Sequence, residues 1–305
     1  DGEVPPVEAD GNFIIGPTHK PAAEMSPVAA GAAKGRVVKF VMKSEESKFY
    51  PGILKDAQPG PNGEVTSHAG PWTRTVSVYV PIGYVAGTEA PVMITCDGDN
   101  RAFNVLDHLV REGKLPAMVV VAIPAGGGDG PGSERGLEYD TVSGKYSDWV
   151  EAEVLPRAEK EAGVTLTKDP EKRAVMGTSS GGSCAMAMAW FHPERYHRVL
   201  TFSGTFVNQQ TPTDPAYPHG AWGFHETLIP QGEVKPLRIY MECGDRDNLG
   251  KADGRHDWVL ANEGMAKVLK EKGYHYKFVF ARGAGHTDRP TIGELYPTAL
   301  EWVWR

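Results

Sequence analysis

The sequence is short of the residues from which several common sites and anchors are built. It holds three cysteines, Cys96, Cys184 and Cys243, in 305 residues. Three cannot make a disulfide framework and none pairs at zinc-ligand spacing, so each, lying inside an apolar stretch, is expected as a buried free thiol. There are 10 histidines but no His-Glu-x-x-His, and no metal is expected. No apolar run is long enough to cross a bilayer, which excludes a spanning helix. Positive charge is also scarce: 32 Lys and Arg face 39 Asp and Glu, a net charge of −7 with no basic cluster, which argues against a nucleic-acid partner. The glycines of Gly126-Gly127-Gly128-Asp129-Gly130 lack the Lys-Ser/Thr of a phosphate cradle and read as a flexible rim.

What is present is a globular composition, 40% hydrophobic and 23% charged, and a pattern of strands alternating with helices. Residues 1–35, with Pro5, Pro6, Pro17, Pro21 and Pro27, show no sustained periodicity and predict an extended arm packed through Phe13, Ile14 and Ile15. Beyond it, eight strands are predicted: Arg36–Met42, Thr73–Val80, Pro91–Cys96, Met118–Ile123, Ala174–Met176, Arg198–Phe202, Leu237–Cys243 and Tyr276–Ala281. Helices are expected near Ala102–Glu112, over Ser147–Ala162, after Gly181, over His256–Lys272 and over Thr298–Trp304. Strands joined through helices imply a mostly parallel sheet covered on both faces, because parallel neighbours need crossover connections. One α/β catalytic domain over residues 36–305 follows, with no linker inside it.

The organising stretch is Ala174–Phe191. A short apolar run enters Gly177-Thr178-Ser179-Ser180-Gly181, and an Ala/Met-rich helical pattern leaves it. Gly-x-Ser-x-Gly between a strand and a helix sets a serine hydroxyl above the sheet edge, and its glycines allow the strained turn. A serine needs a base within reach, oriented by a carboxylate. Both follow in the order Ser, Asp, His: Asp245 and Asp247 after one predicted strand, His286 in a Gly-rich loop after the last. Asp247 lies farther into its loop and reaches more easily toward His286; Asp245 stands as the alternative, or as a brace of the turn. The amides of Ser180 and Asp99 are the candidate oxyanion donors, with the Asp99 carboxylate turned away from developing negative charge. Aromatic residues between Phe206 and Val234, Trp222 and His225 among them, make a candidate specificity region.

Gly177–Gly182 with its helix, Ser-Glu-Arg-Gly-Leu-Glu-Tyr-Asp at 133–140, Gly-Asp-Arg-Asp at 244–247 and Gly285-His286 together resemble the family called "putative esterase". That family includes the feruloyl and acetylxylan esterases of carbohydrate esterase family 1 and the enterochelin esterases. The resemblance covers roughly residues 70–305 and implies an α/β-hydrolase fold. It implies Ser179 as nucleophile, Asp247 as acid, His286 as base, and Ser180 and Asp99 as oxyanion donors, Asp97-Gly98 standing where many members have His-Gly. Arg135, Glu138 and Tyr139 match a signature that braces the active-site loop or touches substrate.

The expected activity is hydrolysis of a carboxylic ester through an acyl-serine, without a cofactor. By analogy the substrate is a small-molecule or polysaccharide ester, a feruloyl or acetyl ester of plant polysaccharide, with a siderophore ester or acyl transfer as alternatives. A non-catalytic binding protein on the same scaffold is the rival of another class; it has no need of Ser, Asp and His together. The chain starts at Asp1 rather than Met, which is compatible with a secreted or periplasmic protein.

Overall fold

In a computed structural model, which describes residues 2–250 and 253–305, the chain folds around a nine-stranded sheet. In chain order its strands are β1 (Gly11–Ile15), β2 (Arg36–Lys43), β3 (Thr73–Val80), β4 (Val92–Thr95), β5 (Val119–Ala122), β6 (Arg173–Thr178), β7 (Arg198–Phe202), β8 (Arg238–Arg246) and β9 (His275–Gly285). In space the order is β1-β9-β8-β7-β6-β4-β5-β3-β2. Only β2–β3 and β3–β5 pair antiparallel; the remaining six pairings are parallel. The sheet therefore has nine strands rather than the eight expected. The ninth, β1, comes from the Pro-rich arm: Asn12-Phe13-Ile14-Ile15 lies parallel to β9, Ile15 opposite Ala281. At five residues flanked by Gly11 and Gly16 it is too short to show a period.

The central strands are apolar on both faces, as a covered parallel sheet requires. In β4, Val92 and Ile94 join the core on one face while Met93 joins that on the other. On the first face lie α2 (Glu134–Tyr139), α3 (Lys145–Trp149), α4 (Leu155–Ala162), α5 (Ser180–Phe191) and α6 (Trp258–Glu271); on the second, α1 (Arg101–Leu109) and α7 (Arg289–Val303). Helix α5 is buried at all positions from Ser180 to Trp190, because its Gly, Ala, Met and Cys run offers no polar face to water.

Two helices depart from expectation for a local reason. The helix expected over Ser147–Ala162 is interrupted by a π turn at Val150–Val154, immediately before Pro156, whose ring nitrogen cannot donate to an α-helical carbonyl. Helix α7 begins at Arg289, well before Thr298, because the Asp288 side chain caps the Thr291 amide and Pro290 sits in the first turn, where no N–H is needed. All three cysteines are buried and free.

After β1 the arm crosses helices α1 and α7. His19 Nδ1 lies 2.8 Å from Glu294 Oε2 and Nε2 2.7 Å from the Arg282 carbonyl. The Ala22 amide donates to Gly293 O (3.1 Å), and Asn104 Nδ2 to Met25 O (2.9 Å).

Candidate active site

Strands β5 and β6 flank β4, so the chain leaves β4 in one direction and later returns on its other side. At such a reversal the loops after the strands diverge and leave a crevice at their carboxyl ends. Ser179 follows β6 there, and Cys96-Asp97-Gly98-Asp99 follows β4. Local sterics fix the serine's pose. It adopts φ 56° and ψ −130°, then α5 starts at Ser180. A Cβ on Gly177 would lie 2.1 Å from the Gly181 carbonyl carbon, and one on Gly181 would lie 2.8 Å from Cys96 Cβ, so the turn closes only on glycines.

Strain is concentrated here. The described residues other than glycine with positive φ are Asp97, Ser179, Ser203 and Thr287, and each lies just beyond the carboxyl end of β4, β6, β7 or β9. For a β-branched residue such as Thr287 this conformation is particularly costly, and it persists only where the surroundings over-determine it. The Thr287 amide donates to Ser203 Oγ at 2.9 Å, and the Ser203 amide to the Glu242 carbonyl at 2.8 Å.

Three of the side chains singled out in the sequence meet in one hydrogen-bonded line. His286 Nε2 is 2.8 Å from Ser179 Oγ, and His286 Nδ1 is 2.6 Å from Asp247 Oδ1. An ionised carboxylate only accepts, so Nδ1 carries the proton and Nε2 is left to accept from the serine hydroxyl. Burial pushes the Asp247 carboxyl up, yet the bond to His286, the imidazole charge and the Asn248 amide hold it below its usual value. Asp247 therefore stays an anion although its side chain is fully enclosed. Asp245 instead accepts the Gly283 amide at 2.8 Å and ties β8 to β9. A register irregularity between Gly244 and Arg246 accompanies this split between two near neighbours.

The expected oxyanion donors differ in availability. Ser180 N–H lies in the first turn of α5, where no intrahelical acceptor exists. Asp99 N–H closes a turn on the Cys96 carbonyl at 3.1 Å, so this expected donor is already engaged. The Asp99 carboxylate is turned onto Arg101, with Nε 3.0 Å from each oxygen.

Arg135 holds the Asp97 carboxylate through Nε (2.8 Å) and Nη2 (3.0 Å), and Tyr139 Oη accepts the Asp97 amide at 3.0 Å. Glu138 is fully enclosed; it pairs with Arg74 and accepts the Gly126 amide at 3.1 Å. Arg74 in turn stacks 3.8 Å above the Trp72 ring centroid. Tyr139 and Glu138 thus brace the loops after β4 and β5 from inside, with no surface left for a ligand. Trp222 packs edge-on to His225 at 4.4 Å, and burial holds the His225 imidazole down at about 4. Much of the expected specificity region packs on the domain itself: Phe224 is completely buried between Trp190 and Phe206.

Two neighbours of the serine carry no sequence motif. Thr205 Oγ1 lies 3.3 Å from Ser179 Oγ and accepts from Trp258 Nε1 at 3.1 Å. Trp258 also stands edge-on to His286, centroids 5.8 Å apart. Thr205 lies just after the predicted strand Arg198–Phe202, whereas Trp258, at the start of a helix, carries no sequence signal.

Behind Asp247 sits Glu242, fully buried. Burial and the Asp247 charge push its carboxyl up to about 8, the Ser203 amide and Arg101 offsetting only part. The folded state therefore keeps a proton that the unfolded chain gives up near 4.5, and this contribution to stability is complete below that pH and lost as pH rises toward about 8. At about 1.4 kcal/mol per pH unit the ceiling is roughly 4–5 kcal/mol. Glu242→Gln is expected to raise the urea midpoint at pH 8.5 and to leave it nearly unchanged at pH 4.5. An equal change at both values would rule the buried acid out as the cause.

A family model described as "Putative esterase" matches residues 67–291. The iron(III) enterobactin esterase of Dickeya dadantii (strain 3937) is 29% identical over 215 residues, 64% of this chain and 44% of that protein. The crystal structure of the enterobactin esterase FES from Shigella flexneri in the presence of enterobactin matches with a TM-score of 0.55 at 24% identity, over 75% of this chain and 55% of that one. The CE1 ferulic acid esterase AmCE1/Fae1A of Anaeromyces mucronatus matches with a TM-score of 0.62 at 14% identity, over 93% and 96% of the two chains. The chain thus spans about half the length of these two enterobactin esterases, and the two solved structures share its fold. With the matched segment running from before β3 into α7 and enclosing every element of the site, the chain belongs to the Esterase family and, with it, to the carboxylic ester hydrolases.

Proposed function

We propose that the protein cleaves its ester through an acyl-serine formed on Ser179. The observation that carries this is the unbroken line from Asp247 through His286 to Ser179, with contacts of 2.6 and 2.8 Å. His286 Nε2 takes the hydroxyl proton as Oγ attacks the carbonyl carbon. The oxyanion is met by the Ser180 amide, and by the Asp99 amide through a bond shared with Cys96 O. His286 then protonates the departing alcohol, and in the second half takes a proton from the water that releases the acid. Asp247 stabilises the imidazolium and fixes its tautomer throughout. Thr205, anchored by Trp258, limits the directions in which the serine hydroxyl can turn.

A feruloyl or acetyl ester of plant polysaccharide is the favoured substrate, and a secreted or periplasmic location goes with that reading. What supports this over a siderophore ester is extent: the likeness to the ferulic acid esterase runs over 96% of that chain, against 55% for the enterobactin esterase.

Treatment with a fluorophosphonate followed by peptide mass mapping is expected to place the adduct on Ser179 and to abolish turnover of 4-nitrophenyl acetate. Labelling elsewhere, with turnover intact, rejects the acyl-serine. Release of acid from methyl ferulate, acetylated xylan and a catecholate siderophore ester then ranks the substrates; preference for the last replaces the polysaccharide assignment.

A further inference from the structure

A cavity of about 580 Å³ opens beside the site. Its walls include Thr178 and Thr287, the chain neighbours of Ser179 and His286, together with Asp99 of the loop after β4. Its apolar lining is Pro21 and Met25 of the arm, with Ile292 of α7. Pro21 and Met25 lie in a segment outside the family match, which is held down by the bonds of His19, Ala22 and Met25 to α1, α7 and the Arg282 carbonyl.

The lining also carries two cations in unequal states. Arg101 is committed to Asp99 through paired bonds and adds no net charge. The Arg289 guanidinium, also lining the cavity, makes no hydrogen bond or ion pair with any described residue. The nearest candidate in sequence, Asp288, is occupied in capping α7, its Oδ2 accepting from Thr291 N (3.0 Å) and Thr291 Oγ1 (2.7 Å). The cavity lining therefore holds one carboxylate and two guanidinium groups, a net charge of about +1, in a protein whose overall charge is −7.

We propose that this cavity is a subsite for a carboxylate on the ester substrate, paired with Arg289 while the adjoining apolar part of the substrate lies against Pro21, Met25 and Ile292. A planar guanidinium can pair with a carboxylate through two parallel N–H···O bonds, which gives the ligand both charge and orientation. The inference rests on the reading of Ser179 as nucleophile for where the ester lies, and adds the charge of the group beside it.

Two pairs of probes locate that charge: mono-4-nitrophenyl glutarate against its neutral methyl ester, with the charge on the acyl half, and 4-acetoxybenzoate against methyl 4-acetoxybenzoate, with the charge on the alcohol half. Normalised to hydroxide hydrolysis of the same compound, kcat/KM is expected to favour the anionic member of at least one pair by about tenfold or more. Arg289→Gln is expected to bring that ratio toward one. Calorimetric binding of the same compounds to Ser179→Ala, and to the same variant carrying Arg289→Gln, reads the preference without turnover, so a failure of the acyl-serine reading leaves this test standing. No anionic preference in either pair, or a preference that survives Arg289→Gln, overturns the subsite.

Discussion

Ser179→Ala is expected to lower kcat by about four orders of magnitude while the protein stays folded and KM changes little. The oxygen removed is the one 2.8 Å from His286 Nε2, and no other hydroxyl takes that position: Thr205 Oγ1 approaches the serine oxygen at 3.3 Å but is tied to Trp258. Stability should change little, because serine and alanine bear the same cost at φ 56° and the surrounding packing is untouched. Steady-state kinetics on 4-nitrophenyl acetate with a thermal melt alongside measures both. Residual activity above about one per cent of wild type, in a preparation shown free of contaminating esterase, would remove Ser179 from the mechanism.

The second large effect separates two aspartates that sit two residues apart. Asp247→Asn is expected to cost about 10³- to 10⁴-fold in kcat. An amide facing His286 Nδ1 can donate to it, which favours the proton on Nε2 and leaves the serine without a base. Asp245→Asn removes only a loop brace, the bond to Gly283 N–H, and is expected to change kcat less than about threefold and stability by about 1 kcal/mol. Comparable losses in both variants would mean that Asp245 also supports the imidazole. Because Asp247 is held below its usual value, the acid limb of a kcat/KM profile should report an ionisation other than that of Asp247.

Strand and helix alternation, the serine turn and the terminal His286 were legible because each is written within a few neighbouring residues. Apolar runs of strand length, the glycines of Gly177–Gly181 and the Gly-rich loop before His286 act through sterics and periodicity over short range. Strand β1 was not legible: five residues of an arm gain their partner, β9, more than 260 positions away, and only the parallel ladder makes them a strand. Helix α7 was expected only from Thr298; it starts at Arg289, where Asp288 caps the first turn and Pro290 needs no N–H.

By itself the sequence determined the class of fold, the candidate nucleophile and base, and the small set of carboxylates that could serve them. Tertiary structure set Asp247 rather than Asp245 against His286, sealed Glu138 and Tyr139 inside the domain as braces, brought Thr205 to the serine and Trp258 to Thr205 and His286, and bound the arm over the cavity that Arg289 lines. The physical reason is range. A turn or a helix is chosen by the residues that form it, whereas Ser179 and His286 are 107 positions apart and meet only because β6 and β9 are fixed in one sheet.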